Sequence, residues 1–182
     1  MLASASPQRR VILERLGVPF TVRPARVREL ARGEPARVAA ANAVRKARAA
    51  AGAGGGEVVI GCDTIVSLAG AIHGKPAGAR AARATLQKLS GATHEVVSGL
   101  AVLVEGQERT AVARTAVTFR ALDERLLDWY LATGEWRGRA GAYAIQGAGA
   151  ALVRALRGDY ENVVGLPLAT LLELYPELLG TC

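Results

Sequence analysis

The apolar run VVIGCDTIVSL at positions 58–68 constrains the fold more than any other stretch of the chain. It is apolar enough to form a strand buried on both faces, and it runs into Ala69-Gly70, a pair typical of a hairpin turn. Helical patterns flank it, with EPARVAAANAVRKARAAAG before it and GARAARATLQKLSG after it. This alternation predicts an α/β fold in which a mixed sheet is covered by helices on both faces.

Other segments continue this alternation. The stretches HEVVSGLAVLVEG and QERTAVARTAVTFRAL are predicted to pair as a hairpin around Gly106, and DERLLDWYLAT predicts a helix with Asp123 as its N-cap. FTVRPARVREL predicts a strand that leads into a loop, and GAGGG predicts a flexible turn. The C-terminal region predicts a glycine-punctuated loop, a strand, a turn at Gly158-Asp159 and one closing helix.

Length and composition limit the classes of protein. The 182 residues fit one domain, 1–182, and 51% apolar residues suffice for a core. No apolar run reaches the roughly 18 residues of a membrane span, and the N-terminus shows no signal-peptide pattern, so we expect a cytoplasmic protein that does not bind membranes. We interpret Cys62 as a small buried side chain and Cys182 as an exposed thiol, not as a disulfide.

The net charge of +7 is compatible with nucleic acid, with phosphorylated small molecules or with a solvated basic surface. Aromatic residues make up only 4% of the chain, which weakens the nucleic-acid interpretation because single strands bind by base stacking. Arginine dominates among the basic residues, and the only lysines are Lys46, Lys75 and Lys88. A lysine in such a chain hints that a compact point charge is required. Lys88 is predicted to lie on a solvated helix face.

The N-terminal stretch MLASASPQRR predicts a strand, a tight turn and the start of a helix. Ser6 suits the N-cap and Pro7 the first helical position, so the free N–H groups of the first turn would face the turn together with Arg9. A helix N-terminus with a nearby guanidinium attracts an anion. The alternative is an ordinary capped helix with solvated arginines.

Asp63 raises the sharpest chemical question, because an unpaired carboxylate in so apolar a strand would be costly. It is either a hydrogen-bonded structural residue or a metal ligand or general base. Lys75 lies between Gly74 and Pro76, at the end of the hairpin that begins near Asp63. Its side chain is free to bind a phosphate, although Gly-Lys-Pro alone is a weak signal.

Taken together, the motifs resemble those of the Maf (septum-formation) family of nucleotide pyrophosphatases. LASASPQRR, GCDTIV with GKP, LSGATHEVVSGLAV, RAGAYAIQG and GDYENVVGLPL occur in the family's order and approximate spacing over almost the whole chain. The resemblance implies an ITPase-like α/β fold, with an elongated, twisted mixed sheet and two lobes around a central nucleotide cleft. It also implies a cytoplasmic homodimer that hydrolyses nucleoside triphosphates to the monophosphate and pyrophosphate with Mg²⁺ or Mn²⁺.

The resemblance also assigns roles to individual residues. The metal ligands would be Glu29 and Asp63, and Asp63 would also activate water. Base selection would involve Thr64 and Gln146, as in members that act on dTTP and UTP, together with Gln8, whose position is associated with substrate choice. The substrate's phosphates would be bound by side chains from four parts of the chain: Ser4, Ser6, Arg9, Lys46, Lys75 and Arg139.

This chain departs from the family pattern at three positions. Gln8 stands where the pyrimidine branch usually has arginine, Arg139 replaces a lysine before AGAY, and Arg45 stands where an acidic residue is common. Base preference is therefore open, and CTP or modified pyrimidines are expected among the substrates. Two other classes of function also stay open: a non-catalytic nucleotide-binding regulator of division and a nucleic-acid-binding module.

Overall fold

The computed structural model describes residues 1–52 and 57–180. Most of the predicted GAGGG turn, and Cys182, lie outside these residues. In the described part of the chain, five strands form one antiparallel sheet in the order β2-β1-β3-β4-β5. The strands are β1 Val59–Leu68, β2 Ala71–His73, β3 Thr93–Val104, β4 Gln107–Phe119 and β5 Val153–Arg157. The predicted hairpins at Ala69-Gly70 and around Gly106 are confirmed by the register of these pairs.

Parallel pairing enters this sheet only at the N-terminus, among the described residues. Leu2 forms single parallel bridges to Ile60 and to Val22. The strands predicted at the N-terminus and in FTVRPARVREL are thus reduced to isolated bridges. Leu2 N–H donates to Thr21 O at 2.8 Å and Arg23 N–H donates to Leu2 O at 3.0 Å. Pro24 follows directly and has no N–H to continue the ladder.

The helices follow the predicted pattern in most places. They are α1 Pro7–Arg15, α2 Pro35–Ala50, α3 Ala79–Leu89, α4 Glu124–Thr133, α5 Tyr160–Val164 and α6 Leu168–Leu174, with short 3₁₀ segments at Ala140–Ala142, Ala148–Leu152 and Pro176–Leu179. Asp123 caps α4 as predicted, since its carboxylate accepts from Leu126 N–H at 2.8 Å. The prediction of a single closing helix at the C-terminus is wrong. It is divided after Val164 because Gly165 takes a φ of +137° and Pro167 follows.

Helix α2 lies unusually close to one face of β1 and β3. A Cβ at Gly61 would collide with the backbone carbonyl of Ala43, and a Cβ at Gly99 would collide with that of Ala39. The two glycines and the small alanines of α2 therefore allow the helix to approach the sheet. This approach brings the polar side chains of α2 against β1, where Asp63 lies.

The opposite face of the sheet is covered by two groups of apolar side chains. The first joins α1, β1, β3 and α6 through Ile12, Leu13, Ile60, Cys62, Leu100 and Leu171. The second joins the sheet to α3 and α4 through Val66, Leu86, Val96, Phe119, Leu127 and Tyr130. Helices thus cover both faces, as predicted. The division into two lobes stays a prediction.

None of the helices in residues 1–52 and 57–180 has the length and apolar character needed to cross a membrane.

His94 is a buried titratable residue in the second apolar group. Its Nε2 lies 2.9 Å from the Tyr143 hydroxyl, its ring packs edge-on against Phe119, and its Nδ1 has no hydrogen-bond partner. Burial lowers the pKa of His94 from 6.5 to about 4, and the charge of His73 lowers it in the same direction. The folded protein therefore holds a neutral imidazole where the unfolded chain would bind a proton.

We expect acid to destabilise the fold through this residue. The unfolded state binds the additional proton below pH 6.5, so the free energy of unfolding should fall by up to about 3 kcal/mol as the pH drops from 6.5 towards 4. His94→Gln should flatten that part of the stability curve, as measured by urea unfolding at a series of pH values. The half-buried His73 provides the control, and an equal flattening by His73→Gln would contradict the assignment.

Candidate active site

A cleft of about 1120 Å³ lies beside β1 and the N-terminus of α1. Its volume lies just above the usual range of about 300–1,000 Å³ for small-molecule sites. All the site residues predicted from the sequence line it: Ser4, Ser6, Gln8, Arg9, Glu29, Lys46, Asp63, Thr64, Lys75, Arg139 and Gln146. The structure therefore brings together side chains that are up to 142 positions apart in the chain. Their individual roles stay predictions.

Asp63 is buried on the face of β1 that packs against α2, and both of its carboxylate oxygens have partners. Lys46 Nζ donates to Oδ1 at 2.6 Å, and Asn42 Nδ2 donates to Oδ2 at 2.9 Å. One positive charge and one amide thus compensate the cost of placing a carboxylate in an apolar strand. The carboxylate still lines the cleft, where a reacting group can approach it.

Lys46 connects Asp63 to a second carboxylate. Its Nζ lies 2.6 Å from Oε1 of Glu29, which comes from the loop before α2. Burial opposes the ionisation of Glu29. The hydrogen bond from Lys46 and the charges of Lys46, Lys75 and Arg9 nevertheless keep the pKa of Glu29 below its ordinary value. Glu29 is therefore held in the ionised form that a metal ion requires.

The donor set of this cluster fits a divalent cation. Glu29 Oε1 and Asp63 Oδ1 each lie 2.6 Å from Lys46 Nζ, so the two oxygens are separated by no more than twice that distance. The described residues contain no group of three or more acidic, histidine or cysteine side chains arranged as a metal cage. Mg²⁺ commonly binds through one or two carboxylates completed by substrate phosphates and water, and two carboxylates suit that arrangement.

Arg9 is a buried guanidinium held in one orientation by three groups. Its Nε donates to Gly165 O at 2.8 Å, one terminal nitrogen donates to Ser4 Oγ at 2.9 Å, and the other donates to Thr64 Oγ1 at 3.1 Å. These bonds use three of the five N–H donors of the guanidinium. Arg9 also lines the cleft, so the two that remain could be offered to an anion bound there.

Thr64 lies next to Arg9, and its hydroxyl is already engaged. Besides accepting from Arg9, Thr64 Oγ1 lies 2.9 Å from the buried Ser98 Oγ. This placement favours a role in orienting Arg9. Contact of Thr64 with a base stays a prediction.

The other predicted residues lie along the walls of the cleft. Ser6 is at the N-cap position of α1, but its hydroxyl donates to Gln8 Oε1 at 3.2 Å and does not cap the helix. Lys75 and Gln146 are exposed, and Arg139 is half-buried just before the Ala140–Ala142 segment. Exposed polar groups at the wall can reach a bound ligand without the desolvation cost that a buried group would incur.

Sequence reasoning missed three partners in this site: Asn42, Ser98 and the carbonyl of Gly165. Asn42 had a detectable signal, because it precedes Lys46 by four residues in an alanine-rich helix and therefore shares a helix face with it. Ser98 and Gly165 had none, since their roles depend on strand register and on the break after α5.

The fold and the cleft together define an α/β protein with a preorganised site for a polyanion, with fixed cations around a pair of carboxylates. The chain belongs to the Maf family: the family's sequence profile, described as Maf-like protein, matches residues 1–178. Among its relatives are proteins named dTTP/UTP pyrophosphatase from several organisms. That of Moorella thermoacetica is 49% identical over 178 residues, which cover 96% of this chain and 92% of the relative. That of Pelotomaculum thermopropionicum is 45% identical, with 96% and 93% covered, and that of Pyrococcus furiosus is 43% identical, with 96% and 92% covered.

Proposed function

We propose that this protein is a nucleoside triphosphate pyrophosphatase that converts dTTP, UTP and related or modified pyrimidine nucleotides to the monophosphate and pyrophosphate. The main observation in support of the proposal is that Asp63, Lys46 and Glu29 form a cluster in one cleft. The hydrogen-bonded Arg9 lies in the same cleft. The names of the relatives favour an enzyme over a non-catalytic regulator of division. A cytoplasmic location and a homodimer belong to the same proposal and rest on the family resemblance.

In this proposal Glu29 and Asp63 hold Mg²⁺ or Mn²⁺. When bound, the cation would neutralise phosphate charge and lower the pKa of a coordinated water. Asp63 accepts the proton of the water whose oxygen attacks the α-phosphorus. Lys46 and Asn42 keep that carboxylate in place through their hydrogen bonds to Oδ1 and Oδ2.

Cleavage of the bond between the α-phosphorus and the bridging oxygen moves negative charge onto the leaving pyrophosphate. Arg9 offers its two unused N–H donors on that side, and Lys75 adds a mobile ammonium at the cleft wall. Fixed positive groups stabilise such developing charge without reorganising during the reaction.

The proposal is tested by a screen of the purified protein against the common and modified triphosphates with Mg²⁺ or Mn²⁺, with pyrophosphate release as the readout. We expect turnover, with dTTP and UTP leading. Tight nucleotide binding without pyrophosphate release would support the regulatory alternative and refute the proposal.

Lys75→Ala should raise KM or lower kcat for dTTP by about tenfold or more, because a charge-assisted contact to phosphate contributes about 1.5–3 kcal/mol. Lys88→Ala is the matched control, since Lys88 is exposed on α3 and does not line the cleft. Steady-state kinetics of both variants test whether Lys75 contacts the substrate. Equal effects of the two substitutions would remove Lys75 from the site.

Gln8 is expected to broaden base selection. A neutral amide both donates and accepts, so it tolerates more bases than a guanidinium does. Gln8→Arg should therefore raise the kcat/KM values for dTTP and UTP relative to that for CTP by about tenfold. This factor corresponds to about 1.4 kcal/mol. Ratios that do not change, or a wild type that prefers purine triphosphates, would contradict the pyrimidine assignment while leaving the pyrophosphatase proposal intact.

A further inference from the structure

We infer that Asn42 is the positioning residue that holds the Glu29 loop against Asp63 and so sets the geometry of the carboxylate pair. Asn42 lies on α2 and is only 1% exposed. The inference deepens the proposed function and rests on it for its catalytic consequence. The structural part stands on three hydrogen bonds made by one side chain.

Two of these bonds fix the loop. Leu30 N–H donates to Asn42 Oδ1 at 2.8 Å, and Asn42 Nδ2 donates to Leu30 O at 3.0 Å. The amide side chain thus pairs with both backbone groups of one residue, as a neighbouring strand would. Leu30 directly follows Glu29, so this pairing anchors the backbone that carries the carboxylate.

The surrounding loop has few anchors of its own. Residues 23–31 form no regular secondary structure, and Glu29 and Leu30 are both exposed. Arg45, also on α2, donates to Arg28 O at 3.2 Å, but Arg45 is exposed. Side-chain bonds that are open to water contribute less to holding a backbone in place than buried ones, so Asn42 provides the principal attachment.

The third bond connects this anchor to the sheet. Leu30 N–H can only donate a hydrogen bond. The Asn42 side chain must therefore be oriented with its acceptor Oδ1, and not Nδ2, towards Leu30 N–H. Nδ2 then faces two acceptors, Leu30 O and Asp63 Oδ2, the latter at 2.9 Å. Both protons of Nδ2 and the carbonyl oxygen are satisfied, so the side chain has one stable orientation. It therefore couples the position of Asp63 to that of the Glu29 backbone.

Lys46 alone cannot do this. It contacts both carboxylates, but it sits on a flexible four-carbon stem, and in the proposed reaction its charge is shared with the substrate phosphates. The hydrogen-bonding groups of Asn42 are fully used within the protein. The neutral amide thus preserves the spacing of the two carboxylates while the charges around them rearrange.

The test compares wild type with Asn42→Leu, which keeps the volume on α2 and removes all three bonds, and with Asn42→Ala as a second variant. Hydrogen exchange at the Leu30 amide should accelerate by about tenfold or more once the buried acceptor is lost. The dissociation constant for Mn²⁺, measured by electron paramagnetic resonance without nucleotide, should rise about 10–100-fold, and kcat should fall by a similar factor. KM for dTTP should change much less, because the phosphate-binding cations are untouched.

Asn162→Ala is the matched control. Asn162 is also a fully buried asparagine, and it donates to Val96 O at 3.1 Å and Thr115 Oγ1 at 3.0 Å without lining the cleft. It should lower the unfolding temperature and leave Leu30 exchange and Mn²⁺ affinity as in wild type. The inference is overturned if the Asn42 variants leave Leu30 exchange unchanged, or if Asn162→Ala shifts exchange and Mn²⁺ affinity equally. A wild type that turns over no triphosphate would refute the proposed function, whereas the Leu30 comparison would still decide the role of Asn42.

Discussion

Asp63→Asn is expected to lower kcat/KM for dTTP by about a thousandfold, because it removes both the proposed base and a metal ligand. The structure adds a further reason. Both carboxylate oxygens of Asp63 accept hydrogen bonds, from Lys46 and from Asn42. Since the amide of the variant has one acceptor and one donor, either orientation places its NH₂ against a donor.

The variant should remain folded, because Lys46 keeps its ion pair with Glu29 and the substituted side chain has nearly the same volume. Circular dichroism and thermal unfolding check this alongside the kinetics. Asp128→Asn is a suitable control, since Asp128 is exposed on α4 and does not line the cleft. Near wild-type activity of Asp63→Asn would exclude Asp63 as base and as metal ligand.

Arg9→Lys is expected to reduce kcat/KM by about a hundredfold, although it conserves the charge. The guanidinium is oriented by Gly165 O, Ser4 Oγ and Thr64 Oγ1, three acceptors that a single ammonium cannot reach together. The variant would remove the Arg9 donor from at least one of these acceptors and would lose the planar set of five donors that a guanidinium provides.

The neighbouring Arg10→Lys provides the control within the same helix. Arg10 is exposed and pairs with Glu14 at 2.6 Å, one turn along α1. Exposed pairs of this kind contribute little because water and salt screen them, so Arg10→Lys should leave the kinetics unchanged. Unchanged kinetics of Arg9→Lys would mean that Arg9 acts only through its charge, and equal losses in the two variants would mean that the orientation of Arg9 is not what matters.

The local elements of this fold could be predicted where periodicity and turn chemistry agree. The strand around Asp63, the hairpins at Ala69-Gly70 and Gly106, and the Asp123 cap all depend on residues that are close in sequence. Each is confirmed, because its hydrophobic pattern and its turn or cap residues favour the same structure.

Elements that depend on distant partners could not be predicted in this way. The N-terminal strand is a single-residue bridge because Leu2 lies between Ile60 and Val22, and neither contact is visible in the local pattern. Ser6 occupies the N-cap position without capping, because its hydroxyl is used by Gln8. Gly165 ends α5 and directs its carbonyl to Arg9, which is 156 positions away.

The membership of the candidate site followed from the family resemblance, whereas its geometry required the structure. Lys46 and Asp63 are 17 positions apart, and they meet because Gly61 and Gly99 let α2 approach the sheet. The same approach places Asn42 between Asp63 and the Glu29 loop, a position that spacing alone suggests only weakly.

The products of dTTP hydrolysis test the central claim most directly. Purified protein is incubated with dTTP and Mg²⁺, and the nucleotide and phosphate products are separated and quantified over time by anion-exchange chromatography or ³¹P NMR. Attack at the α-phosphorus predicts dTMP and pyrophosphate in equal amounts from the earliest time point, with no accumulation of dTDP. Release of orthophosphate with dTDP would contradict the account, because it would place the attack at the γ-phosphorus.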